Sequence, residues 1–267
     1  MKSLKKYQAY VSAAALAISV ISAVLHTISM LFFRDTLWYY DVDAILPVIS
    51  NILMATSIIL FAIFAILFTD STKSVKAPQG IARYMAILPA AALLLHTAEL
   101  ASTAMEKATI SHFFTLITAL VSAVFFVMIA FSKEYTSTTA LCGIGFIIWL
   151  GLSWLSSYND IFIPMNAPEK LFFHFGCIGA AILTVGELRS MYEISRPKLY
   201  FFSLWSSQLL LLAAALHPII KFLTKNSKSS VFYESLVLLG LAAYAIVRNL
   251  FFIIKSYRAN KETPLEE

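Results

Sequence analysis

The stretch Ile45-Leu-Pro-Val-Ile-Ser-Asn-Ile-Leu-Met-Ala-Thr-Ser-Ile-Ile-Leu-Phe-Ala-Ile-Phe-Ala-Ile-Leu-Phe68 runs for twenty-four residues without a charge. A hydrocarbon core about 30 Å thick is crossed by about 20 mostly apolar residues, because a helix rises about 1.5 Å per residue. The apolar residues here are continuous, without the alternation that a membrane β-strand shows. Backbone groups in lipid must find partners within their own segment, so the stretch reads as a transmembrane helix.

Seven more runs of this kind flank it, near Tyr10–Phe33, Tyr84–Met105, Phe113–Phe131, Thr138–Leu155, Leu171–Leu188, Leu199–Ile219 and Val231–Ile254. The chain is 60% hydrophobic and 13% charged, whereas soluble domains run at roughly 45–50% and about 25%. Its mean hydropathy is +0.79. The expectation is an all-α integral membrane protein of eight transmembrane helices, a single transmembrane domain over 1–267. The connections are too short for a soluble domain, which excludes an attached kinase, nucleotidase, ATPase or DNA-binding unit. The basic balance is a topology signal, not a sign of nucleic acid.

Orientation follows from the loops. With eight spans, one side carries Lys2, Lys5, Lys6, Lys73, Lys76, Arg83, Lys133, Arg189, Arg196, Lys198, Lys255, Arg258 and Lys261. The other carries only Arg34, Lys107, Lys170, Lys221, Lys225 and Lys228. The positive-inside rule then places both termini in the cytoplasm, in a bacterial-type cytoplasmic membrane, with Trp38, Tyr39 and Tyr40 in an outer interfacial belt. The basic start, Lys2 to Lys6, resembles a signal peptide, but the apolar run after it exceeds the usual h-region of about 7–15 residues. It is read as an uncleaved first helix. Cys142 and Cys177 lie at depths differing by roughly 15 Å. A disulfide needs Cα atoms within about 7 Å, so none is expected.

The two halves, 1–133 and 134–267, echo one another. Asp43-Ala-Ile-Leu-Pro47 matches Asp160-Ile-Phe-Ile-Pro164, and Lys76-Ala-Pro78 before Tyr84 matches Arg196-Pro197-Lys198 before Tyr200. Ala91-Ala-Leu-Leu-Leu-His96 matches Ala213-Ala-Ala-Leu-His217 less closely. Units of four spans would be related by an axis along the membrane normal, a parallel 4+4 repeat. Helix-start chemistry and common Ala/Leu runs account for the same echoes.

Ionisable groups in hydrocarbon cost about 2.5–3.5 kcal/mol each on insertion scales, so each one calls for a reason. Glu99 falls about 9 Å inside the outer end of span three. His96 precedes it by three residues on the same face, and Pro89 lower in the span predicts a kink. His26, His112, His174 and His217 also fall in the outer half, which therefore holds all five histidines. Glu234 sits in the first turn of span eight, where a carboxylate suits the helix N-terminus. Glu187 and Arg189 read as a solvated end of span six, and Arg248 as an arginine snorkelling from span eight. Excluding histidines, the outer side carries eight acids against six bases, which favours cationic or neutral ligands.

Three function classes fit. The leading one is binding or transport of a small molecule or cation through an outward-facing polar cavity, with Glu99, His96, His26 and His217 as ligand- or proton-binding residues. The second is a metal-dependent intramembrane hydrolase acting on a lipid, with a divalent metal held by His96, Glu99, His174 and His217. Against it, no His-x-x-x-His or His-Glu-x-x-His pattern occurs on one helix. The third is a non-catalytic subunit or scaffold working through a membrane partner. No phosphate-binding glycine loop, Gly-x-Ser-x-Gly elbow or haem-attachment motif is present.

Overall fold

The computed structural model describes residues 7–34, 39–69, 74–106, 109–132, 134–225 and 231–262. Lys2, Lys5, Lys6, Lys73, Lys107, Lys133, Lys228, Asp35 and Trp38, which entered the sequence reading, lie outside the described residues. The described chain forms α1 (Gln8–Phe32), α2 (Ile45–Phe68), α3 (Ile81–Tyr84), α4 (Ile87–Glu106) and α5 (Ile110–Phe131). Then follow α6 (Ser137–Asn159), α7 (Pro168–Met191), α8 (Pro197–Lys225) and α9 (Phe232–Glu262). Helices α3 and α4 together make the third span, so eight helical segments are long and apolar enough to cross a membrane. Among the described residues the one β pairing is a bridge between Arg34 and Tyr40. The protein is a polytopic, all-helical membrane protein.

Span three is interrupted where the sequence led one to look. Pro89 has no N–H to offer the carbonyl of Met85, four residues back. Leu88 N–H bonds to that carbonyl instead at 3.1 Å, and the regular helix restarts at Ile87. Turn residues Met85 and Ala86 separate α3 from α4. Gly80, at φ +57°, makes the tight entry into α3, a conformation that costs a residue with a Cβ.

Consecutive spans reverse direction, so the start of α1 and the end of α9 share one face of the bundle, called here the terminal face. Helix α8 forms the centre, packed against α7, α9, α1 and α2. Helices α4, α5 and α6 form an outer arc that α9 closes on one side and α7 on the other. Burial follows the arrangement. In α8, 83% of the apolar window is buried, against 22% in α2 and 39% in span three. Span three and α8, which a 4+4 repeat would pair, thus occupy a rim and a centre.

Small side chains let the backbones approach, the usual packing device where lipid removes the hydrophobic drive between helices. A Cβ built on Gly240 of α9 would lie 2.8 Å from Pro89 N and 3.0 Å from the Leu88 carbonyl carbon, so α9 and α4 touch backbone to backbone. The centre also carries a polar thread. Gln208 of α8 donates to the Ala245 carbonyl at 2.9 Å, and Ser207 donates to the Gly179 carbonyl at 2.8 Å. Asn249 of α9 donates to the Ser12 carbonyl of α1 at 3.2 Å and accepts from Trp205 at 3.4 Å. Four helices are stitched together inside the apolar core.

Candidate functional site

At the face opposite the termini, the beginnings of α5 and α9 and the end of α6 enclose a cavity of about 440 Å³. Its polar wall is Ser111, Ser156, Ser157, Asn159, Asp160 and Glu234, with Leu152, Leu155 and Val231 supplying apolar surface. The elements explain the placement. Thr109 caps α5 by accepting from His112 N–H at 3.3 Å, which sets Ser111 in the first turn. Asp160 ends α6, and its Oδ1 accepts from Phe162 N–H at 2.9 Å, turning the chain back toward α7. Glu234 lies in the first turn of α9, where the helix dipole favours its carboxylate.

Behind the cavity wall stands His96. Its Nε2 lies 4.0 Å from Glu234 Oε1 on α9, and its Nδ1 lies 3.7 Å from Glu99 Oε2 on its own helix. The imidazole is buried at 3% exposure and its ring nitrogens have no hydrogen bond, whereas Glu99 is 36% exposed. Trp149 meets the ring at 5.7 Å between centroids and Tyr233 at 6.2 Å, so aromatic faces close off its sides. The result is a carboxylate–imidazole–carboxylate row, Glu234–His96–Glu99, leading from the cavity wall to a second acid. Both gaps exceed hydrogen-bond length by less than an ångström, a spacing that a small rotamer change or one water closes.

The pairing of His96 with Glu99 is the one the i, i+3 spacing implied. Glu234, read from sequence only as a helix-start acid, lines the cavity beside Asp160 and stands next to His96. The signal that could have found it is depth: Glu234 and His96 both lie a few turns or less from the same membrane face.

The other histidines sit elsewhere. His26 of α1 meets Phe172 in a tilted ring contact at 3.7 Å between centroids and lies 3.3 Å from Tyr40 OH at its Nδ1. His217 of α8 is close enough to His26 to interact with it electrostatically. Tyr40, in the α1–α2 connection, meets His26 alone of the two. Burial pushes its phenol well above the ordinary tyrosine range, against the opposing pull of Arg34, so the hydroxyl stays neutral. Close by in chain, Glu169 of α7 takes Arg34 Nη1 at 2.8 Å and lies 3.9 Å from Lys221 Nζ of α8. His174 rests against Trp154 at 5.5 Å between centroids. Helix α4 packs on α5 and α9, whereas α1 packs on α2, α8 and α9. His96 and Glu99 therefore belong to one neighbourhood, and His26 and His217 to another. Among the described residues no three His, Cys, Asp or Glu side chains are gathered as metal ligands, and His96, Glu99, His174 and His217 are not brought to one centre.

Two residues read as solvated are not. Arg248 is 1% exposed and Glu187 is 2% exposed, and they pair at 3.2 Å from Nε to Oε1 near the terminal face. Tyr200 OH donates to Glu187 Oε1 at 2.5 Å and accepts from Arg248 Nε at 2.9 Å. Ser190 donates to Glu187 Oε2 at 3.2 Å, and Arg248 Nη2 donates to the Lys76 carbonyl at 2.6 Å. Phe252 lies under the guanidinium, 4.8 Å from ring centroid to Cζ. Arg248 does not snorkel because an acid on a neighbouring helix, at matching depth, offers it a partner.

Compared with known protein families, with characterised proteins and with solved structures, the chain matches none of them. The membrane-protein class rests on the eight apolar spans, and its activity must be argued from the cavity.

Proposed function

We propose that the protein binds a small cationic solute in the cavity at the face opposite its termini and moves it in exchange for protons. The observation that carries this reading is Glu234, which lines the cavity and stands 4.0 Å from His96. Asp160 lines the same cavity, so among the described residues two acids and no Lys or Arg face the space. Such a wall favours a cation. A volume of about 440 Å³ falls within the usual range of small-ligand sites. The row Glu234–His96–Glu99 supplies a route by which a proton displaced from the wall reaches a second acid. The terminal face is cytoplasmic on this reading, and the cavity opens to the outside.

The test uses proteoliposomes with an internal pH dye. Guanidinium and tetramethylammonium serve as probes, added to the side that the cavity faces. The expected result is cation-dependent proton movement that Glu234→Gln abolishes and Glu99→Gln slows at least tenfold. The reading is overturned if neither cation moves protons, or if both variants behave as the parent does.

A second reading, a subunit acting through a membrane partner, is favoured by Asn51. Its amide is exposed on α2, about 9 Å along that helix from its start, at a depth where lipid offers no hydrogen bond. A chain that carries no solute flux at all shifts the balance to this reading.

A further inference from the structure

A second cavity, of about 290 Å³, lies near the terminal face between α6, α7 and α8. It is a groove with two unlike ends. The deep end is apolar, walled by Ile147 of α6 and Ala181 and Ile182 of α7. The shallow end holds Arg189, in the last turn of α7, and Arg196, just before α8 begins. From Arg189 to Ala181 the groove extends about 12 Å along α7. It exists because Gly186 and Ser203 leave it open: a Cβ built at Gly186 would find its nearest neighbour, Tyr200 Cδ2, only at 3.7 Å. Val185 and Leu199, which also line it, are about half-exposed, so the groove opens on the surface of the bundle where lipid lies.

The arginines at the shallow end have donors to spare. Arg189 Nε is buried and has no hydrogen-bond partner among the described residues, and its Nη2 makes only a 3.4 Å bond to the Ile194 carbonyl. Arg196 is exposed. Lys198 follows in the first turn of α8, and the exposed Glu193 is the opposing charge in the connecting turn. The buried Glu187 is occupied by Arg248 and Tyr200. The mouth is therefore net positive, at the level where a span meets the headgroup layer.

We propose that this groove is a binding site for an anionic phospholipid, with one acyl chain along Ala181, Gly186 and Ser203 and the headgroup phosphate between Arg189 and Arg196. Guanidinium groups suit a phosphate because they offer paired, parallel donors. Basic pockets between membrane helices on the cytoplasmic side are established lipid-headgroup sites in general, and anionic lipids concentrate in that leaflet. The small volume takes part of one acyl chain and not a whole lipid, which agrees with a groove open along its side. A bound chain packs against the Tyr200 ring, so the lipid also braces the hydroxyl that joins Glu187 to Arg248. The site is independent of the cation cavity at the opposite face.

The experiment is lipid binding to the full chain, purified and delipidated in a neutral detergent. Native mass spectrometry and thermal unfolding follow additions of phosphatidylglycerol, phosphatidylcholine or inorganic phosphate. Phosphatidylglycerol is expected to bind and raise the unfolding temperature, at least tenfold more tightly than phosphatidylcholine. Arg189→Gln with Arg196→Gln is expected to erase that preference. Gly186→Leu, which fills the groove, is expected to remove binding while the lipid-free protein unfolds near the parent temperature. Should Gly186→Leu fail to fold, the arginine variant decides alone. The proposal is overturned if phosphatidylcholine binds equally well, if the double arginine variant keeps the preference, or if a folded Gly186→Leu still binds. It is also overturned if inorganic phosphate alone matches phosphatidylglycerol.

Discussion

Arg248 shows how much one side chain carries in this bundle. It is a guanidinium in the core, held by Glu187, Tyr200, the Lys76 carbonyl and the Phe252 ring. Removing one member of such a pair leaves the other charge buried and alone, which costs about 3–5 kcal/mol, whereas replacing both with apolar groups is often neutral. Arg248→Met is therefore expected to lower the thermal unfolding temperature markedly in detergent, and Glu187→Leu added to it to restore most of the loss. Equal unfolding of parent and single variant would mean the pair is solvated. The sequence showed these two charges but not their partnership, because each stood near a span end where solvation is the ordinary outcome. Their matching depth was the readable clue. The His96–Glu99 pair, by contrast, was legible from spacing alone, since three residues along a helix fix a shared face wherever the helix sits.

At the scale of the element, the contact between α4 and α9 holds the candidate site together, since it carries His96 on one helix and Glu234 on the other. Gly240 is what permits it, as its neighbours at 2.8–3.0 Å are backbone atoms of Leu88 and Pro89 that cannot swing aside. Gly240→Val is expected to destabilise the protein by about 1–3 kcal/mol, the usual range for overpacking. It is also expected to weaken guanidinium-driven proton movement in proteoliposomes. Gly151→Val is the control, because a Cβ there has no neighbour within 4 Å. Unchanged stability and flux in Gly240→Val would separate the site from this contact. Hydropathy located every span to within a few residues at most ends. It stopped short at α8 and α9, which run on to Lys225 and Glu262, since a helix keeps its hydrogen bonds after its side chains turn polar.

On the scale of the whole molecule, the most buried span is not the most apolar one. Helix α2 has mean hydropathy 2.5 and is the least buried, while α8 has 1.6 and is the most buried. Lipid takes the oily surfaces, and the serines, Gln208 and His217 of α8 turn inward to find partners. That inversion is why the sequence revealed eight spans without revealing which is central: a run apolar all round has no face to read. Orientation is checked with single cysteines in a background lacking Cys142 and Cys177. A cysteine in place of Asp41 is expected to react with an impermeant maleimide added outside intact cells, and one in place of Ser74 only after permeabilisation. The reverse pattern would turn the molecule over and direct the candidate cavity inward.

The bond from Asn249 to the Ser12 carbonyl spans 237 residues of sequence. During synthesis at about 5–20 residues per second, the first helix waits on the order of tens of seconds for its polar partner to leave the ribosome. Through that interval the serine-bearing flank of α1 sits in the bilayer without α8 or α9 against it. Biogenesis therefore passes through a half-built bundle whose inward faces are still uncovered.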